Sequence, residues 1–275
     1  MGGPIGLGAT SNIFLGQVEA PLLIKPYLSS MTRHELLIIM TVGMSTIAGS
    51  VMVVYTTMLF PIYGAGLIGH FLSASLISVP AAIMYSNIML PSDVKTDFPD
   101  KSSNELYASV MDAITQGTKN GLDIFLNVIA MLIVVMALVF LVNSILSLFP
   151  PLFGDPITLE LLLGYLFAPL AWFMGISWEE SIIAGQLLGV KTALNEFVAY
   201  LYLADTDTYQ LTDKSRLIML YALCGFANFS SVGILLSGLS AMIPERRMDL
   251  ISVSGKALWG ALLASCLTGF MIGIL

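Results

Sequence analysis

The chain has 275 residues, of which 57% are hydrophobic and 11% are charged, and its formal net charge is −7. Soluble domains carry about 25% charged residues, so this composition excludes an ordinary soluble protein. The net negative charge and the scattered Lys and Arg residues also exclude a nucleic-acid partner. No Asp, Glu, Lys or Arg occurs from Leu36 to Ser92. Because a helix needs about 20 apolar residues to cross a lipid bilayer, the sequence predicts an all-α polytopic membrane protein.

The first unit, residues 1–91, contains one short interrupted segment and two longer apolar ones. Residues 10–29 are too short for a clean span and include an acid among apolar residues. A helix predicted over 34–60 is interrupted by small and hydroxyl residues, GMSTIAGS, at 43–50, and a second span follows at about 66–90. This unit is predicted to comprise the tip and second arm of a helical hairpin, a broken helix and a following span.

The middle unit, residues 92–176, begins with a polar stretch. Ser102 and Glu105 have the spacing of a capping box, and the apolar residues that follow recur every four positions. This pattern predicts an amphipathic helix at the membrane interface. A long scaffold-type helix is predicted over about 122–148, and a tilted helix over 157–175.

The last unit, residues 177–275, begins with an apolar segment at 178–204 that is too short for two spans. This segment is predicted to form a second hairpin. The next apolar segment, 216–243, is broken by CGFANFSS at 224–231, and a final span is predicted over about 250–275.

Two parts of the chain resemble each other. NIFLGQVEAPLL and NEFVAYLYLAD both place an Asn and an acid on a short apolar helix, and a polar joint follows each of them. The next apolar helix then breaks at Gly43 in one part and at Gly225 in the other. Glu19 and Glu196 therefore occupy matching positions. The shared order predicts an inverted repeat with two re-entrant helical hairpins and two broken transmembrane helices.

The two acids, Glu19 and Glu196, are the predicted centre of the chemistry. An acid within a membrane costs ~2.5–3.5 kcal/mol on insertion scales and is usually functional. The alternatives are an interfacial acid or a structural ion pair, for which Lys25 and Lys191 are near enough in sequence to be partners. Non-helical backbone at membrane depth must be buried in protein or line a cavity. Polar side chains in the two breaks are therefore predicted to face a polar solute: Ser45, Thr46, Ser50, Asn228, Ser230 and Ser231.

Longer motifs resemble a known family. GQVEAPLLIKPYL, STIAGSV, LNEFVAY, YALCGFANFSSVGI and, before the last helix, PERRMDL are similar to the signature segments of the concentrative nucleoside transporters. The match runs in order through nearly the whole chain. The resemblance implies a cation-coupled nucleoside symporter, not an enzyme, that is a multi-pass homotrimer in the plasma or inner membrane. It implies no cofactor besides the coupling ion.

The resemblance also implies the residues that contact the nucleoside. The tip of the first hairpin would hold the nucleobase, and the second hairpin with the second broken helix would hold the ribose. Carboxylates suit this task because they accept hydrogen bonds from ribose hydroxyls or a base N–H. The implied residues are Gln17, Glu19 and Val51 for the base, and Glu196, Phe226, Asn228 and Ser231 for the ribose.

The implied coupling ion is sodium. Its ligands would be the side chains of Asn12 and Thr46 and the backbone carbonyls of Leu15 and Ile47, which suits a hard cation that takes oxygen ligands. Proton coupling is the alternative, because a carboxylate such as Glu19 also carries a proton.

Two departures from the family pattern affect these expectations. Val18 stands where many members have Thr or Ser, so base preference does not carry over. The family is also longer, and the chain is expected to lack its N-terminal helices, which leaves an inactive or partial transporter as an alternative. A membrane-embedded enzyme with Glu19 and Glu196 as an acid–base pair is a third hypothesis. The sequence has no HExxH, GxSxG or Walker pattern in its support.

Overall fold

The computed structural model describes residues 2–92, 96, 109–151, 156–206 and 210–275. Over these ranges the chain forms α-helices and one 3₁₀ turn, Pro244–Arg246, and contains no β-strand. The helices are α1 (Gly3–Ser11), α2 (Glu19–Leu23), α3 (Lys25–Leu28), α4 (Arg33–Ser45), α5 (Gly49–Tyr63), α6 (Leu67–Met89), α7 (Val110–Leu146), α8 (Leu159–Phe173), α9 (Trp178–Ala193), α10 (Glu196–Ala204), α11 (Asp213–Ala222), α12 (Phe229–Met242) and α13 (Arg247–Ile274).

Several helical segments have the composition of membrane spans. Among the described residues, Arg33–Tyr63, Leu67–Met89 and Pro244–Ile274 are long and apolar enough to cross a bilayer. The first of these segments contains both α4 and α5, so the span includes the predicted break. Three shorter apolar helical stretches lie at Ile133–Leu146, which is the C-terminal part of α7, at Leu159–Phe173 and at Phe229–Met242.

The two hairpins consist of short helices joined at tight tips. In hairpin 1, α1 is joined to α2 and α3 by residues 12–18, so residues 3–11 form a nine-residue first arm. In hairpin 2, α9 is joined to α10 by residues 194 and 195. The side chain of Asn195 accepts a hydrogen bond from the Val198 amide (2.9 Å), which caps α10. The helix therefore begins at Glu196.

Both predicted helix breaks are present. α4 begins with a capping box in which Thr32 and Glu35 bond to each other's backbone amides. It ends at Ser45, and the chain resumes helical geometry at Gly49, so residues 46–48 form the first break. Residues 223–228 form the second break, between α11 and α12. The order of hairpin, capped helix, break and helix therefore occurs twice.

α13 lies at the centre of the helix packing. It contacts α4 and α6 from the first half of the chain and α11 and α12 from the second half. Most of its middle part is buried, including Ala257, Ala261 and Ala264, each with 0% exposure. Small residues allow membrane helices to approach closely, so α13 can join the two halves.

α8 and α9 pack against each other through glycines. A Cβ added at Gly185 of α9 would lie only 2.3 Å from the carbonyl oxygen of Gly164 on α8. A Cβ at Gly189 would lie 2.8 Å from the Cβ of Leu163. α8 corresponds to the predicted tilted helix, and this contact makes it a support for hairpin 2.

α7 differs from its prediction. The sequence predicted two elements, an interfacial helix that runs into a long span at about 122–148, but one continuous helix of 37 residues begins at Val110. No proline interrupts it, so nothing in the local sequence forces a bend. Large apolar side chains such as Phe125 and Phe140 are exposed along it. The predicted capping box at Ser102 and Glu105 lies outside the described residues.

Candidate functional site

A cavity of about 300 Å³ lies where the two hairpin tips meet the first turns of α5 and α12. Its lining comes from four separate stretches of the chain, at 16–19, 48–55, 195–197 and 226–234. Each side chain predicted to contact the nucleoside lines this cavity: Gln17, Glu19, Val51, Glu196, Phe226, Asn228 and Ser231. The structure therefore brings together residues that are up to 214 positions apart in the sequence.

Hairpin 1 contributes hydrogen-bond acceptors that are not satisfied by the protein. The Oε1 atom of Gln17 is buried and has no partner among the described residues. Glu19 is exposed to the cavity, and its carboxylate bonds to no other described side chain or amide. Buried polar atoms in folded proteins are normally paired. These oxygens are therefore available to a donor on a bound solute.

Hairpin 2 contributes a carboxylate that is held in a fixed orientation. Glu196 is 6% exposed. Its Oε1 accepts a hydrogen bond from the Tyr55 hydroxyl (2.9 Å), and its Oε2 accepts one from Asn228 Nδ2 (2.8 Å). The Oδ1 of Asn228 accepts from the Ser231 amide (2.7 Å), which caps α12. Each carboxylate oxygen accepts about two hydrogen bonds, so Glu196 keeps acceptor capacity on its cavity side.

Tyr55 is a site residue that the sequence analysis missed. It lines the cavity, is 2% exposed and packs against Tyr200 with a ring-centroid distance of 4.8 Å. Its position four residues after Val51 was the available signal, because residues i and i+4 lie on the same helix face. The identity of its partner, Glu196, depends on the tertiary contact between α5 and α10.

The two helix breaks meet beside the cavity. Gly225 has a φ of +132°. A Cβ at this position would lie 2.7 Å from the carbonyl oxygen of Ser45 in the other broken helix. Glycine is required here both for its backbone conformation and for the close approach. The geometry of each break therefore depends on the other.

Asn12 in the tip of hairpin 1 has one satisfied and one unsatisfied polar atom. Its side chain has 0% exposure, and its Nδ2 donates to the carbonyl of Gly8 (2.9 Å). Its Oδ1 has no hydrogen-bond partner among the described residues. A buried amide oxygen without a donor suits a small cation with oxygen ligands.

The other three predicted ion ligands lie close to this tip. The Gly49 amide donates to the Phe14 carbonyl (2.9 Å), which joins the tip of hairpin 1 to the start of α5. This bond brings the backbone of Leu15 near the first break. Thr46 and Ile47 in the break are 1% and 0% exposed.

The alternative in which Glu19 and Glu196 form structural ion pairs with Lys25 and Lys191 is wrong. Neither Glu19 nor Glu196 forms a salt bridge with a described residue, whereas Arg33 and Arg246 both pair with Asp249. Lys191 interacts with Glu196 only at longer range, through its charge. The Lys191 ammonium instead donates to the Ala222 carbonyl and the Ser265 hydroxyl.

Residues 70–273 match a family model described as the C-terminus of Na⁺-dependent nucleoside transporters. This match covers more than half of the chain and includes hairpin 2 and the second broken helix.

Similar proteins include bacterial and mammalian transporters. An uncharacterized transporter of Haemophilus influenzae is 40% identical over 276 residues, which covers 98% of this chain and 65% of that protein. The nucleoside permease NupC of Helicobacter pylori is 35% identical, over 98% of this chain and 64% of the permease. The sodium/nucleoside cotransporter 1 of Rattus norvegicus is 34% identical, over 98% of this chain and 44% of the cotransporter. The chain thus spans about two thirds or less of the length of these relatives.

Solved structures of CNTnw superimpose on the chain. The inward-facing, substrate-bound structure has a TM-score of 0.82 at 34% identity, over 100% of this chain and 65% of CNTnw. A CNTnw variant in the intermediate 3 state has a TM-score of 0.86 at 35% identity, over 98% of this chain and 65% of that variant. The predicted fold class is thereby confirmed. The chain belongs to the Na⁺-dependent nucleoside transporter family and corresponds to its C-terminal part.

Proposed function

We propose that this chain forms the substrate- and ion-binding part of a sodium-coupled nucleoside symporter. The observation that supports this proposal most strongly is the shared cavity lined by residues from both hairpins and both broken helices. Its volume lies at the lower end of the range for ligand pockets, about 300–1,000 Å³.

The cavity is lined by two chemically different sets of residues that suit the two halves of a nucleoside. The free acceptors of Gln17 and Glu19 suit the donor groups of a nucleobase, and Val51 supplies an apolar surface. In the second set, Glu196 and Asn228 form a hydrogen-bonded polar pair that suits ribose hydroxyls. Ser231 adds a hydroxyl beside this pair, and the half-buried Phe226 packs alongside.

Sodium is the proposed coupling ion, bound by Asn12 and Thr46 side chains and the Leu15 and Ile47 carbonyls. The unpaired Asn12 Oδ1 supports this assignment. The word sodium in the name of the rat relative supports it as well. Proton coupling remains the second candidate, because Glu19 faces the cavity with a free carboxylate.

The cellular setting of this function is a lipid membrane. We propose a multi-pass protein of the plasma or inner membrane that assembles as a homotrimer. The exposed apolar side chains of α7 suit a lipid or subunit interface. Relatives named as transporters support transport over the enzyme alternative. Because the chain spans part of their length, transport activity itself belongs to this proposal.

Uridine binding should depend on sodium through Asn12. We expect the affinity of the purified protein for uridine to fall when sodium is replaced by choline at fixed pH. In the Asn12→Leu variant, affinity should be low in both salts, because the buried amide oxygen is lost. Asn87→Leu is the matched control, since Asn87 makes the same i−4 backbone bond on an exposed helix face. Calorimetric titration measures the six affinities, for three proteins in two salts. Equal wild-type affinity in sodium and choline, with a strong dependence on pH, would favour proton coupling.

Removing the Tyr55 hydroxyl should weaken nucleoside binding moderately. In Tyr55→Phe, Glu196 loses one hydrogen bond of about 0.5–1.5 kcal/mol, so we expect Kd to rise roughly 2- to 10-fold. Tyr63→Phe is the control, because the Tyr63 hydroxyl also makes a single bond, to the Arg216 carbonyl, but does not line the cavity. An equal loss of affinity in both variants would show that Tyr55 acts only through stability.

A further inference from the structure

Lys191 is a fully buried lysine that the proposed function does not use. It lies in the last turn of α9 and has 0% exposure. Its Nζ donates to the carbonyl of Ala222 (2.9 Å) and to the hydroxyl of Ser265 on α13 (2.8 Å). No carboxylate of the described residues pairs with it within 4.0 Å. Glu196 acts on it only through its charge at longer range. A buried ammonium without a carboxylate in direct contact is costly, so its hydrogen-bond partners must stabilise it.

The partner of Lys191 is the C-terminal end of a half-helix. Ala222 is the last residue of α11, where backbone carbonyls lack intrahelical donors and the helix dipole is negative. Side chains of three other helices donate to this end. Tyr200 donates to the Leu220 carbonyl (2.9 Å). Thr268 shares its hydroxyl proton between the Tyr221 carbonyl (3.2 Å) and the Ser265 carbonyl of its own helix (2.6 Å). Lys191 supplies the positive charge in this set.

Among the described residues, no charged side chain bonds to the matching end of α4 in the first repeat. The side-chain donors to its last turn are its own Ser45 and Thr46, and both bond to Val42. This end lies beside the tip of hairpin 1, which contains Asn12 with its unpaired oxygen. The two repeats therefore have corresponding half-helix ends, but one carries a covalently tethered ammonium and the other carries none.

We propose that the Lys191 ammonium is the resident cation of the second repeat and positions the ribose side of the cavity. It fixes the end of α11 against hairpin 2. Lys191 lies five residues before Glu196, and its partner Ala222 lies six residues before Asn228. A bound monovalent cation would serve the first repeat in the same way. This inference rests on the proposed function for its binding readout, but not for its stability readout.

The first test removes the charge and keeps the length of the side chain. We expect Lys191→Met to bind uridine about 10- to 100-fold more weakly at saturating sodium, as for the loss of charged hydrogen bonds. Lys256→Met is the control, because Lys256 is exposed and bonds to the Met89 carbonyl. Its affinity should stay within about twofold of wild type, as expected for a surface substitution. Wild-type affinity in a folded Lys191→Met would overturn the proposal.

The second test restores a cation without relying on nucleoside. In Lys191→Ala, ethylammonium can occupy the vacated space and donate to Ala222 and Ser265, whereas tetramethylammonium has no N–H. We expect ethylammonium to raise the unfolding temperature of this variant selectively, and to leave wild type unchanged. In the binding assay it should also recover uridine affinity. Equal effects of the two ammonium ions would contradict a resident cation. If wild type failed to bind uridine, the proposed function would fail while this stability test still decided the role of Lys191.

Discussion

The Glu196→Gln variant is expected to lose nucleoside binding while keeping its fold. Glutamine has nearly the same shape, and its Oε1 can still accept from Asn228 while its Nε2 donates to the Tyr55 hydroxyl oxygen. The protein contacts are thus preserved, but the cavity loses the charged acceptor for ribose hydroxyls. A hydrogen bond to a charged group contributes about 1.5–3 kcal/mol, so we expect uridine Kd to rise at least ~10-fold for each bond lost.

Glu179→Gln is the matched control for this prediction. Glu179 lies on hairpin 2, at the opposite end of α9, and is exposed outside the cavity. Its substitution changes the net charge by the same amount and should leave affinity unaltered. Thermal unfolding of both variants, followed by circular dichroism, verifies the fold. Wild-type uridine affinity in Glu196→Gln would remove Glu196 from the binding site.

The Gly225→Ala variant is expected to disrupt both helix breaks together. An alanine at a φ of +132° is strained, and its Cβ would lie 2.7 Å from the Ser45 carbonyl oxygen and 2.9 Å from its carbon. Backbone cannot move aside as a flexible side chain can. Strain and overpacking each cost about 1–3 kcal/mol, so we expect a combined loss of roughly 2–5 kcal/mol of stability. The shifted breaks should also weaken uridine binding.

Gly255→Ala provides the comparison. Gly255 lies within α13, and a Cβ there would meet no atom within 4 Å. Alanine is favoured over glycine in a helix by roughly 0.5–1 kcal/mol, so this change should be neutral or stabilising. Thermal unfolding midpoints in the same detergent measure the difference. Equal midpoints for the two variants would show that the breaks tolerate displacement and would refute the proposed mutual dependence.

Local sequence was informative wherever polar groups interrupt apolar runs. GMSTIAGS and CGFANFSS predicted the two breaks, and the structure has them at 46–48 and 223–228. Unpaired backbone is costly in a bilayer, so such interruptions are tolerated only for a purpose. The same cost singled out Glu19 and Glu196 as site residues, and both line the cavity. Whether they bind nucleoside remains a prediction.

Sequence was less informative where the local pattern allowed several structures. The sequence predicted two elements here, an interfacial helix and the long span into which it runs. They form one helix, α7, since nothing between them breaks the backbone hydrogen bonds. Lys191 was placed beside Glu196 by proximity in sequence, yet its ammonium points to α11 and α13.

By itself, the sequence determined the all-helical membrane class, the repeated order of hairpins and broken helices, and the two acids of the cavity. These features depend on the cost of polar groups in an apolar chain, which is local and can be read from residue order. Only the tertiary structure decided that Tyr55 orients Glu196, that Gly225 must fit against Ser45, and that Lys191 binds a half-helix end. Each of these contacts joins segments distant in the chain, and its partner depends on how helices pack around α13.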